Sequence, residues 1–468
     1  MPYKSQLSSL SSSIEFFPIE SYQQETDKWI NPHQDDYEKP MLDKKIQESY
    51  LKNLQKRVFG TASPWDQSYV KLILQTDIWA SEKKQLLIFS NQDNLSKDKW
   101  YGLNFRIYPK EKIENIADTI PLDELKRLSF HKANRAITTK NLLARSLPTT
   151  DIYVRSIMPG YGYPLDKLQA SALFIGTPIY VINQTKDKRW SLVITPDFIV
   201  WVESDGISYT DDSFIKKWKS IAQEKIAAII QTDVALVNQQ GKFLTTAYIG
   251  TFFPARSDII GKLILSVPIA DKEGKALLSD VIVNSAQAAY IPIKSSPRNF
   301  AQLINSLKGR PYGWGGISYY NDCSSELKGL FLPFGIWLPR QSYDQIKTTE
   351  IVDLSIDTPT QRLTYLIHHG TPFFTIMYIK GHIFLYLGNF SQVDQQLSMV
   401  MSYQNIWGLG NLAGDKISII GASVFFPLLL NYPEDPSLNS LLNRDIFQVS
   451  HLNQLQPGYP NLILPYVL

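Results

Sequence analysis

The sequence has 468 residues, 44% of them apolar, 12% aromatic and 19% charged, with a single cysteine. That length exceeds one ordinary hydrophobic core and predicts three or four domains, and the composition excludes a disordered chain. A net charge of +3 without a block of basic residues argues against a nucleic-acid partner, and one thiol excludes a disulfide-stapled mini-domain.

The opening "MPYKSQLSSLSSSIEFF" lacks the basic, apolar and small-residue segments of an export signal. No apolar run is long enough to predict a membrane-spanning helix; "ASVFFPLLLNY" is short and holds Pro427. Residues 1–135 read as a mainly helical, charged clamp. In "DKKIQESYLKNLQKRVFG" Ile46, Tyr50, Leu51, Leu54 and Val58 recur at helical spacing before Gly60, and "PLDELKRLSFHKANRA" reads as a second helical piece closing the region.

From Ala136 the period shifts towards two. "SALFIGTPIYVINQT" and "RWSLVITPDFIVWVES" predict short strands of a small β-barrel over residues 136–215. A helix is expected over "SFIKKWKSIAQEKIAAII", and a second barrel is expected within 216–293, since "FIGTP" (Phe174 to Pro178) is echoed by "YIGTF" (Tyr248 to Phe252). Trp190 and Trp201 are expected to be core. The last domain, 294–468, opens on an amphipathic helix carrying Phe300, Leu303, Ile304 and Leu307.

Cys323 sits where the glycine-rich "YGWGG" gives way to "CSSELKGLFLP", whose Leu327, Leu330 and Phe331 share a helical face until Pro333. A free cysteine is often a buried filler, but the polar neighbours Asp322, Ser324, Ser325 and Glu326 suit a helix start. There the unpaired N–H groups and the positive helix end favour a thiolate nucleophile.

A nucleophile needs a base. His382 follows the two-residue turn Lys380–Gly381 in the predicted hairpin "PFFTIMYI-KG-HIFLYLG", which holds it on a rigid strand. His368 and His369, at a predicted helix end, read as structural. Some twenty residues beyond His382, Gln404 or Asn405 in "QNIWGLG" could accept the other ring N–H and orient the imidazole. Asp322 reads either as a helix N-cap or as a ligand-binding carboxylate, and Tyr312 could help stabilise an oxyanion beside the Cys323 backbone N–H.

Five motifs, "PYGWGG", "DCSS", "FGIWLPRQS", "GHIFLYLG" and "QNIWGL", resemble in order and spacing the NlpC family of cell-wall cysteine peptidases. "PGYGYPLDKLQAS" and "GTPIYVINQTKDKRW" resemble the bacterial SH3-like modules of its multi-domain members. The resemblance implies an α+β multidomain protein: a papain-like catalytic domain preceded by two SH3-like barrels and a helical N-terminal region. It implies Cys323 as nucleophile, His382 as general base and Gln404 as orienting residue, with Tyr312, Asp322, Ser324 and Ser342 holding the substrate.

The implied activity is hydrolysis of peptidoglycan stem peptides between γ-D-glutamate and the diamino acid, on peptides with a free N-terminal L-alanine. The expectation is a monomer without metal, cofactor, nucleic-acid partner or membrane span. It works in the periplasm or cell envelope, its signal segment removed, or in cytoplasmic recycling. Two other readings stay open: a non-catalytic wall-binding protein, and an acyltransferase on the same scaffold.

Overall fold

The computed structural model describes residues 14–90, 99–259, 262–391, 398–455 and 464–467. Most of the segment tested above for an export signal lies outside the described residues, and no described helix is long and apolar enough to cross a membrane.

In the N-terminal region, Asp43 accepts the Lys45 and Ile46 backbone N–H groups and starts the helix Lys44–Val58, whose Tyr50, Leu54 and Val58 are buried. The second helical piece expected from the sequence is not an α-helix. "PLDELKRLSFHKANRA" forms two 3-10 turns, Leu122–Lys126 and Lys132–Asn134. Its leucines at 122, 125 and 128 recur every third residue, the 3-10 period, and Phe130 leaves the turn to stack on Tyr180 at 5.4 Å. The helix of this region lies earlier, at Lys110–Thr119.

The first barrel runs in the order Gln169–Leu173, Leu142–Arg145, Phe198–Glu203, Trp190–Ile194, Pro178–Gln184, Arg135–Thr138, Ile207–Tyr209. Trp190 and Trp201 are buried in its core, and Trp201 Nε1 donates to the buried Glu82 carboxyl at 3.0 Å. The linking helix is shorter than expected, Asp212–Glu224. Ile226–Ile229 becomes a strand of the second barrel, paired with Phe252–Ile259 on one side and Ala288–Tyr290 on the other. All four of its residues are buried, which suits isoleucine and alanine in a strand covered on both faces.

The last domain is α+β. Pro297–Leu307 buries Phe300, Leu303, Ile304 and Leu307 as the pattern predicts, with Phe300 stacked 4.3 Å from Phe334. Its sheet runs in the order Glu15–Phe16, Ile417–Pro427, Ser398–Gly410, His382–Ser391, Thr375–Ile379, Gln448–His451, Ile351–Asp353. The expected hairpin forms, with Ile379 opposite His382.

Both described chain ends cross to another module. Glu15–Phe16 adds a parallel strand to the last domain's sheet, and Tyr466–Val467 pairs in parallel with Phe198–Ile199 of the first barrel.

Candidate active site

Cys323 is the first residue of the helix Cys323–Phe331, and Asp322 is its N-cap. Asp322 Oδ1 accepts the Ser325 N–H at 2.9 Å while the Asp322 N–H donates back to Ser325 Oγ at 2.8 Å, a reciprocal cap that fixes the helix start. Arg340 then grips the same carboxylate with both terminal nitrogens, 2.6 and 3.1 Å, and donates to Ser324 Oγ at 2.8 Å and to Ser171 Oγ of the first barrel at 2.9 Å. Burial opposes ionisation of Asp322, but the Arg340 guanidinium and the cap hydrogen bonds hold its carboxyl below the usual range. Asp322 and Ser324 are thus 8% and 5% exposed and engaged within the chain; Tyr312 and Ser342 are half-buried.

The glycine-rich approach is shaped by the first barrel. Gly315 and Gly316 have φ of +59° and +80°, and a Cβ on them would come within 2.4 Å of the Gln169 carbonyl oxygen and 2.6 Å of the Ala172 nitrogen. Only glycine allows both that backbone and that approach. Trp407 Nε1 donates to the Gly160 carbonyl at 2.8 Å, and the Tyr312 ring lies against Trp407 at 5.9 Å.

His382 opens its strand directly after the turn at Gly381, whose φ is +82°. Pairing between its strand and Ser398–Gly410 begins only at Leu385–Tyr403; the Cys323 helix packs on this strand, and the Ile383 N–H acts to lower the thiol's pKa. The imidazole Nε2 meets Gln404 Oε1 at 2.7 Å. Gln404 Nε2 in turn donates to Ser402 Oγ at 3.0 Å, and Ser402 donates to the Phe426 carbonyl at 2.7 Å. With that carbonyl able only to accept, the chain of donors runs one way, so the proton sits on His382 Nε2 and the lone pair on Nδ1. Asn405, the other orienting candidate, instead donates to the Asn321 carbonyl at 2.9 Å.

The helix start does not produce the expected thiolate. Burial, and then the Asp322 charge, push the Cys323 thiol up to about 12, against the Ile383 and Ser324 N–H groups and Arg340. Burial lowers the His382 imidazole to about 4, opposed by Gln404. The resting pair is a neutral thiol and a neutral imidazole, because desolvation outweighs the helix-end field. The Tyr312 phenol is raised well above its usual value by burial and then by Cys323 and Asp322, and stays a hydrogen-bond donor.

Two residues here have roles that no periodic signal carries: Arg340 stands in the sequence only within a motif, and Glu326 only as a polar neighbour of Cys323. Arg340, inside "LPRQS", joins the barrel to the thiol helix. Glu326, one turn after Cys323, is fully buried; its carboxyl accepts from Tyr403 Oη at 2.5 Å and from Asn321 Nδ2 at 2.7 Å. It thereby ties the residue before Asp322 to the residue before Gln404.

Fold and site together have the build of papain-like cysteine peptidases that carry bacterial SH3 domains. By sequence, residues 153–203 match the SH3 domain of SH3b1 type and residues 211–258 the SH3 domain of SH3b2 type. No curated protein matches the chain.

The architecture is that of an NlpC/P60 endopeptidase from Photobacterium damselae subsp. piscicida, over 95% of this chain and 100% of that one, at 26% identity and a TM-score of 0.79. An NlpC/P60 family protein from Bacillus cereus aligns over 65% of this chain and 98% of its own, at 14% identity and a TM-score of 0.42. The protein thus has the build of an NlpC/P60 endopeptidase with two bacterial SH3 domains.

Proposed function

We propose that the protein is a γ-D-glutamyl–L-diamino acid endopeptidase of the cell envelope, cutting peptidoglycan stem peptides through Cys323. The observation that carries this reading is the 2.7 Å contact between His382 Nε2 and Gln404 Oε1, because it leaves Nδ1 as the free base. Since thiol and imidazole rest neutral, proton transfer accompanies attack: His382 Nδ1 takes the Cys323 proton as the sulfur adds to the γ-glutamyl carbonyl. The Tyr312 hydroxyl and the Cys323 backbone N–H receive the developing oxyanion. The imidazolium then protonates the leaving amine of the diamino acid, and water, activated by the same ring, hydrolyses the thioester.

Tyr312 and Ser342 keep access to a bound peptide, whereas Asp322 and Ser324 act mainly by setting the shape and field at the thiol. Arg340 already balances the Asp322 charge, so an N-terminal ammonium would gain from the Asp322 lone pairs and not from a net negative pocket. Selection for a free L-alanine amine is tested by pairing free and N-acetylated stem peptides; equal cleavage of both would remove that part of the reading.

The deciding experiment incubates wild type and Cys323→Ala with L-Ala-γ-D-Glu-diaminopimelate peptide and follows release of L-Ala-D-Glu. Release by wild type alone is expected. Equal, negligible release by both would favour the wall-binding alternative, and a product mass showing the acyl group on an added amine would favour transfer over hydrolysis.

A further inference from the structure

The echo between Phe174–Pro178 and Tyr248–Phe252 has a structural counterpart. Each segment is a tight turn of one barrel, with Gly176 at φ +88° and Gly250 at φ +96°. Each closes the same way: the Thr177 N–H donates to the Phe174 carbonyl at 3.3 Å and the Thr251 N–H to the Tyr248 carbonyl at 3.0 Å. The Phe174 and Tyr248 rings lie 5.4 Å apart, and a Cβ on Gly250 would come within 2.8 Å of Gly329 Cα. The two turns thus meet over the helix that carries Cys323.

Between them and the helix lies a cavity of about 100 Å³. The helix lends it Ser325, Lys328 and Gly329, with Leu332 just past its end, the stripe opposite Cys323, Leu327, Leu330 and Phe331, which pack into the last domain's core. Cys323, His382 and Gln404 do not line the cavity, although Ser171, Gly316, Ser325 and Arg340, which surround the Asp322 cap, form part of its wall.

Its lining is mostly apolar, yet Trp337 Nε1 and Thr251 Oγ1 on its wall are buried without a hydrogen-bond partner among the described residues. The two residues are 5% and 2% exposed. Buried polar groups are normally satisfied, so two orphans on one cavity wall point to an occupant. The contrast between the turns sharpens this: Thr177 Oγ1 donates to the Phe174 carbonyl at 2.7 Å, while Thr251 keeps its hydroxyl free. The charges nearby are already matched, since Lys328 Nζ reaches Asp197 at 3.2 Å and the Leu338 carbonyl at 2.7 Å and lies 3.5 Å over the Trp337 ring. An uncharged guest suits that setting.

We propose that this junction of the two barrels and the back of the Cys323 helix is a binding site for a small uncharged amphiphile. The guest has an apolar body, roughly five to eight heavy atoms in all for a space of this size, and one carbonyl or amide. Its carbonyl accepts from Trp337 Nε1–H, and Thr251 Oγ completes the polar contacts.

The test uses isovaleramide with the full chain, by calorimetry and by thermal unfolding at increasing probe concentration. Saturable one-to-one binding and a concentration-dependent rise in melting temperature are expected. Thr251→Val and Trp337→Phe should each weaken binding by roughly fivefold to tenfold, and Ile249→Trp, which fills the space, should abolish it. Stem peptide should not displace the probe, so failure here and failure of the proposed peptidase activity are separately visible. Absence of saturable binding by wild type, or undiminished binding by the folded, near-isosteric Thr251→Val together with Trp337→Phe, overturns the proposal.

Discussion

The His382 imidazole is where burial and hydrogen bonding compete most openly. An unfolded histidine titrates near 6.5, whereas His382 is lowered to about 4. Between those values the folded chain binds fewer protons than the unfolded one. This contribution to stability is therefore intact above pH 6.5 and is lost as pH falls towards 4, by up to about 3 kcal/mol. Denaturant unfolding at pH 7 and pH 4.5 should show wild type losing more stability than His382→Asn, and equal losses would refute the assignment. The same shift places the acid limb of kcat/KM near pH 4. Gln404→Glu supplies a carboxylate that favours the imidazolium, so that limb should move to higher pH, while Gln404→Ala should lower kcat by roughly 10-fold to 100-fold through a misoriented ring. An unmoved limb in the glutamate variant would show that Gln404 does not govern His382.

Among elements, the Cys323 helix is held at its start from two sides. Asp322 and Ser325 close the cap, and Glu326 draws Asn321 and Tyr403 together beneath the thiol. Removing the carboxyl leaves buried donors without acceptors, so Glu326→Ala should cost on the order of 2 to 4 kcal/mol in denaturant unfolding. Glu326→Gln keeps a carbonyl acceptor for Asn321 and an amide that can donate to the Tyr403 hydroxyl, and should cost clearly less. If the two variants were equally stable, the carboxyl would not be holding these segments together. The Gly315–Gly316 step sets the other boundary. A side chain at Gly316 must bear φ +80° and meet Ala172 at 2.6 Å, so Gly316→Ala should destabilise the docking of barrel and loop by about 1 to 3 kcal/mol, read as a lower denaturation midpoint.

At the scale of the whole molecule, Arg340 and the exchanged chain ends bind the modules into one body. Arg340 reaches Ser171 in the first barrel and Asp322 and Ser324 in the last domain. Arg340→Ala strands a buried carboxylate, and a cost of about 3 to 5 kcal/mol is expected, together with separation of the barrel and last-domain transitions in calorimetry. A single, unshifted transition in the variant would show that the guanidinium does not couple the modules. The strands Glu15–Phe16 and Tyr466–Val467, each paired with a module far along the chain, work in the same direction.

Local pattern determined a good part of this protein. The helix start at Cys323, the amphipathic helix at Phe300 to Leu307, the hairpin that carries His382, and the turn repeated at Gly176 and Gly250 all follow from spacing, turn chemistry and glycine, which act between near neighbours. Where local preference was weak it misled. The spacing around Leu125 suits a helix but forms a 3-10 turn, and Ile226–Ile229 continues a helical pattern yet is a strand because all four residues are buried. Only the tertiary structure decided that Arg340 would neutralise Asp322, that Glu326 would reach Tyr403, and that the Cys323 thiol would rest protonated. Those outcomes depend on charges and burial contributed by segments 18 to 169 residues away in sequence, and no periodicity along the chain encodes them.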